Sequence, residues 1–400
     1  MSSPPATAPA RPVAPTVAPG LLVAAILLLA LNLRGPIVAV SPVAETIAAD
    51  LGVSAATVGL LTSLPVLCFG LATPLASLLL ARLGLGRGVL VALGVLLAGI
   101  VLRSVGGLPT AVAGTLLIGL AITVGNVAVP VVIGRDLPER AGAVLGGYTA
   151  ALNVGSMLTL SLTVPIAGLV DWRFALAGWG LLVVVSAVVW HRATRAVRGA
   201  VAVAEERPGP STVGPVWWRR PIVWGLTLAF AGQAFAYYGV TAWLPLLLRD
   251  ELGMTESGAG LSSSVFQIAA VVGAFGVPVL LRVCHSPRTA VLVVSAAWAA
   301  LPVGLLVAPA GWPVWCALGG AAQGGGITVV FSLVVRRARD LAENRRMSAL
   351  VQGGGYTVAA AGPAVVGAVH EATGGWTAPL LVVAAAVLVL AAAGTLSARS

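Results

Sequence analysis

The sequence predicts an all-α polytopic membrane protein with twelve transmembrane helices, and three observations carry that expectation. The 400 residues have a mean hydropathy of +1.01, are 58% hydrophobic and only 9% charged, whereas soluble domains carry about 25% charged residues. Apolar stretches long enough to cross a bilayer, roughly 20 residues each, recur along the whole chain. The polar breaks between them are short, and arginines mark every second one. A soluble core, a disulfide-stapled module and a disordered chain are excluded by composition alone.

In order along the chain, residues 1–19 are rich in Pro and Ala, lack periodicity and read as a disordered cytoplasmic tail. The first apolar run, 20–42, starts late, has no basic cluster before it and continues through Pro36. It reads as a membrane span and not as a cleaved signal. Further spans are expected at 57–80, 88–104, 110–133, 142–165 and 173–190. The Pro- and Arg-rich stretch 191–220 reads as a cytoplasmic linker. Beyond it come 221–248, 257–281, 288–307, 312–335, 347–369 and 377–397. Two six-helix bundles, 20–190 and 221–400, follow.

All 23 basic residues are arginine. With the N-terminus in the cytoplasm, only Arg103, Arg173 and Arg249 fall in outer connections. Arg34 lies within the first span, and every other arginine falls on the inner side. The positive-inside rule therefore sets both termini in the cytoplasm of a plasma-membrane protein. The net charge of +10 is topology, not a nucleic-acid footprint. The absence of Lys excludes a P-loop lysine and a Schiff base. Cys68, Cys284 and Cys316 are far apart, and His191, His285 and His370 lie in connections without a ligand pattern. No nucleophile–base set or metal cluster emerges, so neither an enzyme nor a cofactor is expected.

Short motifs recur between the halves. Asp50-Leu51-Gly52 returns as Glu251-Leu252-Gly253, and Gly59-Leu60 as Gly260-Leu261. Arg135-Asp136-Leu137 returns as Arg339-Asp340-Leu341, and Gly146-Gly147-Tyr148-Thr149 as Gly354-Gly355-Tyr356-Thr357. Their order and slowly growing offset indicate duplication of a six-helix unit. Six is even, so the repeats are parallel, with a substrate site expected between them near the midplane.

Arg34 is the sharpest candidate. It falls about 4–5 Å from the centre of the first span at 1.5 Å per residue, where an arginine costs between about 2.5 and more than 10 kcal/mol unless it faces protein or water. None of the thirteen acidic residues lies deep enough in a span to neutralise it. Either Arg34 bonds carbonyls and amides as a structural residue, or it awaits an anionic or electron-rich substrate suited to its planar fork. Pro36 cannot donate to the Asn32 carbonyl, which loosens the helix beside it.

Other polar residues are placed to complete a cavity. Gln233, Tyr237 and Thr241 step by four along span seven, as do Gln352 and Tyr356 in span eleven. Asn126, Asn153, Gln267 and Gln323 are single amides in four further spans. Any one of them alone reads as interhelical glue. Trp243 stands near the outer end of span seven as a belt residue, like Trp172, Trp312 and Trp376. The glycines at 324–326 and 353–355 read as close helix packing.

Several stretches carry a resemblance. They are Leu31-Asn32-Leu33-Arg34-Gly35-Pro36, Leu61-Thr62-Ser63-Leu64-Pro65-Val66, Ala242-Trp243-Leu244-Pro245 after Tyr237, and Gln352-Gly353 through Gly362-Pro363. In order and spacing the chain resembles the cyanate and nitroimidazole transporters of the major facilitator superfamily. Here Gly35 separates Arg34 from Pro36, and the first cytoplasmic connection, Ala81 to Arg87, lacks the Asp usual in the superfamily's signature. The resemblance implies the major facilitator fold and alternating-access transport of a small polar or anionic solute, with Arg34 as its contact. The expected substrate-binding set is Arg34, Asn32, Asn126, Tyr148, Asn153, Gln233, Tyr237, Trp243, Gln267, Gln352 and Tyr356. The expected partners are the small-molecule substrate, the lipid bilayer and a proton or counter-ion, in a functional monomer that binds no nucleic acid. Without a deep Asp, Glu or His, facilitation, exchange or symport with the proton on the substrate is favoured. The alternatives are a proton-coupled multidrug exporter of the same fold and a non-transporting membrane receptor.

Overall fold

A computed structural model describes residues 19–198, 217–284, 286–339 and 341–399, and every regular element among them is helical. Residues 1–18 of the expected tail and 199–216 of the expected linker lie outside the described residues, as does His285. The first span is interrupted, with α1 at Pro19–Asn32, α2 at Gly35–Val38 and a 3₁₀ turn at Ser41–Val43 before α3 at Ala44–Leu51. Then come α4 (Ala55–Leu71), α5 (Thr73–Ser104), α6 (Leu108–Asp136), α7 (Ala141–Leu169), α8 (Trp172–Gly178) and α9 (Gly180–Arg198). The remaining elements are α10 (Pro221–Leu252), α11 (Glu256–Val283), α12 (Pro287–Val307), α13 (Trp312–Arg337), α14 (Leu341–Ala359), α15 (Ala361–Thr373) and α16 (Thr377–Arg399).

Nine stretches among the described residues are long and apolar enough to cross a membrane. The shorter apolar helix α4, the continuous α10 and the pair α14–α15 complete twelve helical passages. Of these, α4 is apolar but short, whereas α10 and α14 carry polar side chains among their apolar ones. Residues of α10 are buried along almost its whole length, from Val223 to Leu248, and α4 packs against both α14 and α15.

Local chemistry sets the boundaries. Ser54 caps α4 by accepting from the Thr57 amide at 3.2 Å, and Thr255 caps α11 by accepting from the Gly258 amide at 3.1 Å. The repeated Leu-Gly pairs end α3 and α10 alike, for Gly52 and Gly253 both have φ of 63°, a left-handed cap that glycine adopts at low cost. The connection expected between 80 and 88 is a single break at Gly84 (φ 73°) within α5. The sixth span runs on as α9 to Arg198, eight residues past its expected end.

The halves meet along seams of small residues. A Cβ on Gly260 of α11 would lie 2.6 Å from the Leu160 carbonyl oxygen of α7, and one on Gly70 of α4 would lie 2.9 Å from that of Gly353 in α14. Side chains there would force the backbones apart.

Three expectations change. Trp243, Trp172 and Trp376 are not interfacial belt residues but buried. The Trp243 indole donates to the Pro363 carbonyl at 2.7 Å, and Trp376 donates to Asp250 Oδ2 at 3.0 Å while stacking on His370. Arg103, assigned to an outer connection, is 1% exposed inside the bundle. His191 and His370 belong to helices α9 and α15, not to connections. Trp243, Trp376 and Arg103 are apparently terminal residues that reach a neighbouring helix, which hydropathy alone does not report.

Candidate functional site: a tyrosine-ringed arginine

The break between α1 and α2 places Arg34. Pro36 has no amide hydrogen to offer the Asn32 carbonyl, so that helical bond is lost, and with Gly35 before it the helix breaks here. Arg34 takes φ −127° and ψ −36° at the start of α2. Small residues let the broken segment approach α7, for a Cβ on Gly35 would lie 3.1 Å from Thr159 Cγ2 and 3.4 Å from the Gly155 carbonyl oxygen. The guanidinium thus enters the bundle instead of continuing along a helix face.

Its surroundings are aromatic and amide. Arg34 Nη1 donates to Asn153 Oδ1 at 3.3 Å, and the guanidinium carbon stands 4.9 Å from the centroid of the Tyr237 ring. All four tyrosines of the chain, Tyr148, Tyr237, Tyr238 and Tyr356, lie within its electrostatic reach. They come from α7, α10 and α14, and Tyr237, Tyr238 and Tyr356 are packed by edge contacts. Tyr237 and Tyr238 lie 4.8 Å apart, and Tyr356 sits 5.1 Å from Phe230 and 5.5 Å from Phe69. No ion pair involves Arg34 among the described residues.

Amides bonded to these residues extend the group into both halves. Asn153 Oδ1 also accepts from Gln323 Nε2 at 3.4 Å, and the Asn153 amide donates to the Thr149 carbonyl at 2.8 Å. Tyr148 Oη donates to Asn126 Oδ1 at 3.2 Å. Tyr237 Oη donates to Gln267 Oε1 at 3.4 Å, whose amide donates to Thr241 Oγ1 at 3.2 Å.

Of the expected set, the structure thus brings together Arg34, Asn153, Tyr148, Tyr237 and Tyr356, with Asn126 and Gln267 one bond further out. Gln352, one turn from Tyr356 on the same face, is exposed, whereas Arg34 and Tyr356 are half-buried. Asn32 points elsewhere, donating to Ser186 Oγ of α9 at 2.8 Å. Gln233 is spent on the Gln323 carbonyl and on the Trp298 indole, both at 2.8 Å. Trp243 is bound to Pro363. Tyr238 was not in the expected set, although its place beside Tyr237 in a polar helix was a legible signal. A cleft of about 300 Å³ near Gly84, Arg135 and Trp190 contains none of this group.

The end of the bundle away from the termini is closed between the halves. Ser41 Oγ donates to the pair of carbonyls of Thr241 and Ala242, at 2.8 and 2.5 Å. Ser161 and Ser264 share a hydrogen bond of 2.7 Å, and Thr46 donates to Glu256 at 3.3 Å. Arg249 pairs with Glu45 across the seam and with Asp250 at 3.2 Å on its own helix. The bond to Glu45 raises the Arg249 guanidinium pKa above its ordinary value against the opposing effect of burial, and Asp250 adds to the rise.

Comparison with known proteins agrees with this architecture. Residues 21–315 match the Major Facilitator Superfamily. A Bacillus subtilis (strain 168) protein described as an uncharacterized transporter, YycB, is 32% identical over 382 residues, covering 93% of this chain and 92% of its own. The 2-nitroimidazole transporter of Escherichia coli (strain K12) is 30% identical over 379 residues, 94% of this chain and 95% of its own. The cyanate transport protein CynX of the same organism is 25% identical over 357 residues, 88% and 90%. Among solved structures, a bacterial homolog of the human lysosomal transporter Spinster, inward-facing and unoccupied, matches with a TM-score of 0.72 at 16% identity, covering 95% of this chain and 97% of that one, which speaks for the fold alone. Fold, sequence kinship and the bundle of apolar helices converge, and the chain belongs to the Major Facilitator Superfamily as a multi-pass membrane transporter of a small solute.

Proposed function

We propose that the protein carries a small planar solute, anionic or electron-rich, across the plasma membrane by alternating access, with Arg34 as the substrate's charged contact. One observation supports this most. A guanidinium deep in the bundle is held by an amide oxygen and a tyrosine ring and has no carboxylate partner among the described residues. An arginine at such depth costs at least about 2.5 kcal/mol when unpaired, so an arriving oxyanion relieves a cost already present. The arginine fork suits two in-plane acceptors, and tyrosine rings suit a flat solute.

Asn153, Tyr148, Tyr237 and Tyr356 orient the bound solute, while Asn126 and Gln267 hold two of those tyrosines. The units 20–190 and 221–400 rock about the seam between α4, α7, α11 and α14. With both termini cytoplasmic, closure by Ser41, Ser161, Thr46 and Arg249 makes this the state closed to the outside, reached from the side of Gln352. Because no membrane-embedded acid stands beside Arg34 among the described residues, coupling falls to a counter-ion or to a proton carried on the substrate.

The test is flux into proteoliposomes, parent beside Arg34→Ala, with cyanate, nitrate, 2-nitroimidazole and a lipophilic cation as probes. Carriage of a planar or anionic probe by the parent, lost in Arg34→Ala, supports the reading. Equal carriage of the lipophilic cation by both proteins overturns it in favour of a multidrug exporter.

A further inference from the structure

Arg103 is a large, buried ionisable side chain that the site above does not use. It lies in the last turn of α5 and is 1% exposed. Its Nη1 donates to the Pro36 carbonyl oxygen at 2.6 Å, two residues beyond Arg34, while Nε and Nη2 are buried and have no partner among the described residues. That carbonyl belongs to the short broken segment α2.

We propose that Arg103 is a positioning residue: a strut from α5 that fixes the backbone of α2 and thereby aims Arg34 at the substrate. This rests on the reading of Arg34 as the substrate contact. The carbonyls around a helix break need partners from elsewhere in a medium without water. Short amide bonds hold one side of α2, with Ile37 and Val38 donating to the Arg34 carbonyl at 3.1 and 3.2 Å and Ala39 to that of Gly35 at 2.9 Å. Thr159 and Gly155 of α7 press on Gly35. Arg103 supplies the remaining hold from another helix, through a charge-assisted bond shorter than an ordinary N–H···O contact.

The approach is built for it. A Cβ on Gly99 would lie 2.8 Å from the Gly114 carbonyl oxygen, and one on Gly114 would lie 2.8 Å from the Arg103 Cα. This glycine crossing lets α5 and α6 close tightly at the root of the Arg103 side chain. A buried guanidinium with two donor groups idle opposes stability, and apolar replacement of such charges is often neutral or stabilising. Its presence is therefore explained by what it holds.

The experiment compares parent, Arg34→Ala, Arg103→Met and Arg103→Lys in proteoliposomes, with cyanate and 2-nitroimidazole as probes. Melting temperature and amide hydrogen exchange at residues 37–39 are read on the same preparations. Arg103→Met is expected to melt no lower than the parent, to raise KM at least tenfold with kcat changed less than twofold, and to exchange faster at residues 37–39. Arg103→Lys is expected to recover most of the KM. Parent KM in Arg103→Met, or a lower melting temperature with kcat lost and KM unchanged, overturns the strut. An Arg34→Ala protein with parent KM overturns the substrate-contact reading instead. Should neither probe be carried, unchanged exchange at residues 37–39 in Arg103→Met overturns the strut on its own.

Discussion

Arg34 in the first half and Gln323 in the second donate to the same atom, Asn153 Oδ1, at 3.3 and 3.4 Å. One oxygen thus joins the guanidinium to a helix of the opposite half. A solute that takes Arg34 also alters what Gln323 holds, which ties occupancy to the seam. Removing a hydrogen bond to a charged group costs about 1.5–3 kcal/mol. Asn153→Ala is accordingly expected to weaken anion binding roughly tenfold or more. Asn153→Asp places a permanent counter-charge on Arg34 and is expected to abolish anion uptake in a protein that folds normally. Uptake at parent rates by Asn153→Asp would remove the reading of Arg34 as an anion contact.

The ring of Tyr237 lies 4.9 Å from the Arg34 guanidinium, and its hydroxyl makes only a 3.4 Å bond to Gln267. A cation over an aromatic face contributes roughly 0.5–2 kcal/mol. Tyr237→Phe keeps the face and is expected to bind solutes within about threefold of the parent, while Tyr237→Leu loses up to roughly thirtyfold on the same scale. Titration calorimetry on both variants separates ring from hydroxyl. Equal losses would show that the hydroxyl, not the ring, matters.

Arg249 and Glu45 bridge the halves at the end away from the termini. Both are partly exposed, so the pair contributes at most about 1 kcal/mol and is screened by salt. Glu45→Gln is expected to shift the population toward opening at that end severalfold, with a smaller shift at high ionic strength. Spin-label distances across the seam read it. Gly260→Val, whose side chain would collide with the Leu160 carbonyl, is expected to shift it further.

Glu343 begins α14 beneath Arg220, which donates to it at 2.5 Å, and also accepts from the Arg339 amide at 2.7 Å. Burial pushes its carboxyl up, but the bonds from Arg339 and Arg220 outweigh that and hold it below the ordinary carboxylate range. Its contribution is therefore fully present above the ordinary value and is lost as pH falls through the lowered one. Glu343→Gln is expected to lower the melting temperature at neutral pH and to flatten the decline on acidification. Melting curves from neutral to strongly acidic pH, parent against variant, check the sign.

Much of the fold was legible because hydropathy and arginine placement act on whole segments. The twelve apolar stretches agree with the helices to within a few residues at most ends, and even the broken first span was signalled by Gly35-Pro36. The site was legible where a residue type is out of place in lipid, as with Arg34 and the stepped Tyr237 and Tyr356. What escaped depended on rotation about helix axes. Gln233 and Asn32 have the chemistry of a site but turn toward Trp298 and Ser186. Trp243 sits at the level of a belt residue but faces Pro363. Arg103 lies at a span end, yet its long side chain reaches inward to Pro36. Sequence position fixes depth along a helix, while the facing side is set by partners far away in the chain.

The gathering of all four tyrosines around one guanidinium has a spectroscopic consequence. In most proteins phenol signals are scattered and report on everything at once. Here protein grown with 3-fluorotyrosine would show four fluorine resonances, each from a ring within reach of the same charge. Aromatic chemical shifts would then follow occupancy and rocking at one locus in intact membranes, with no engineered label.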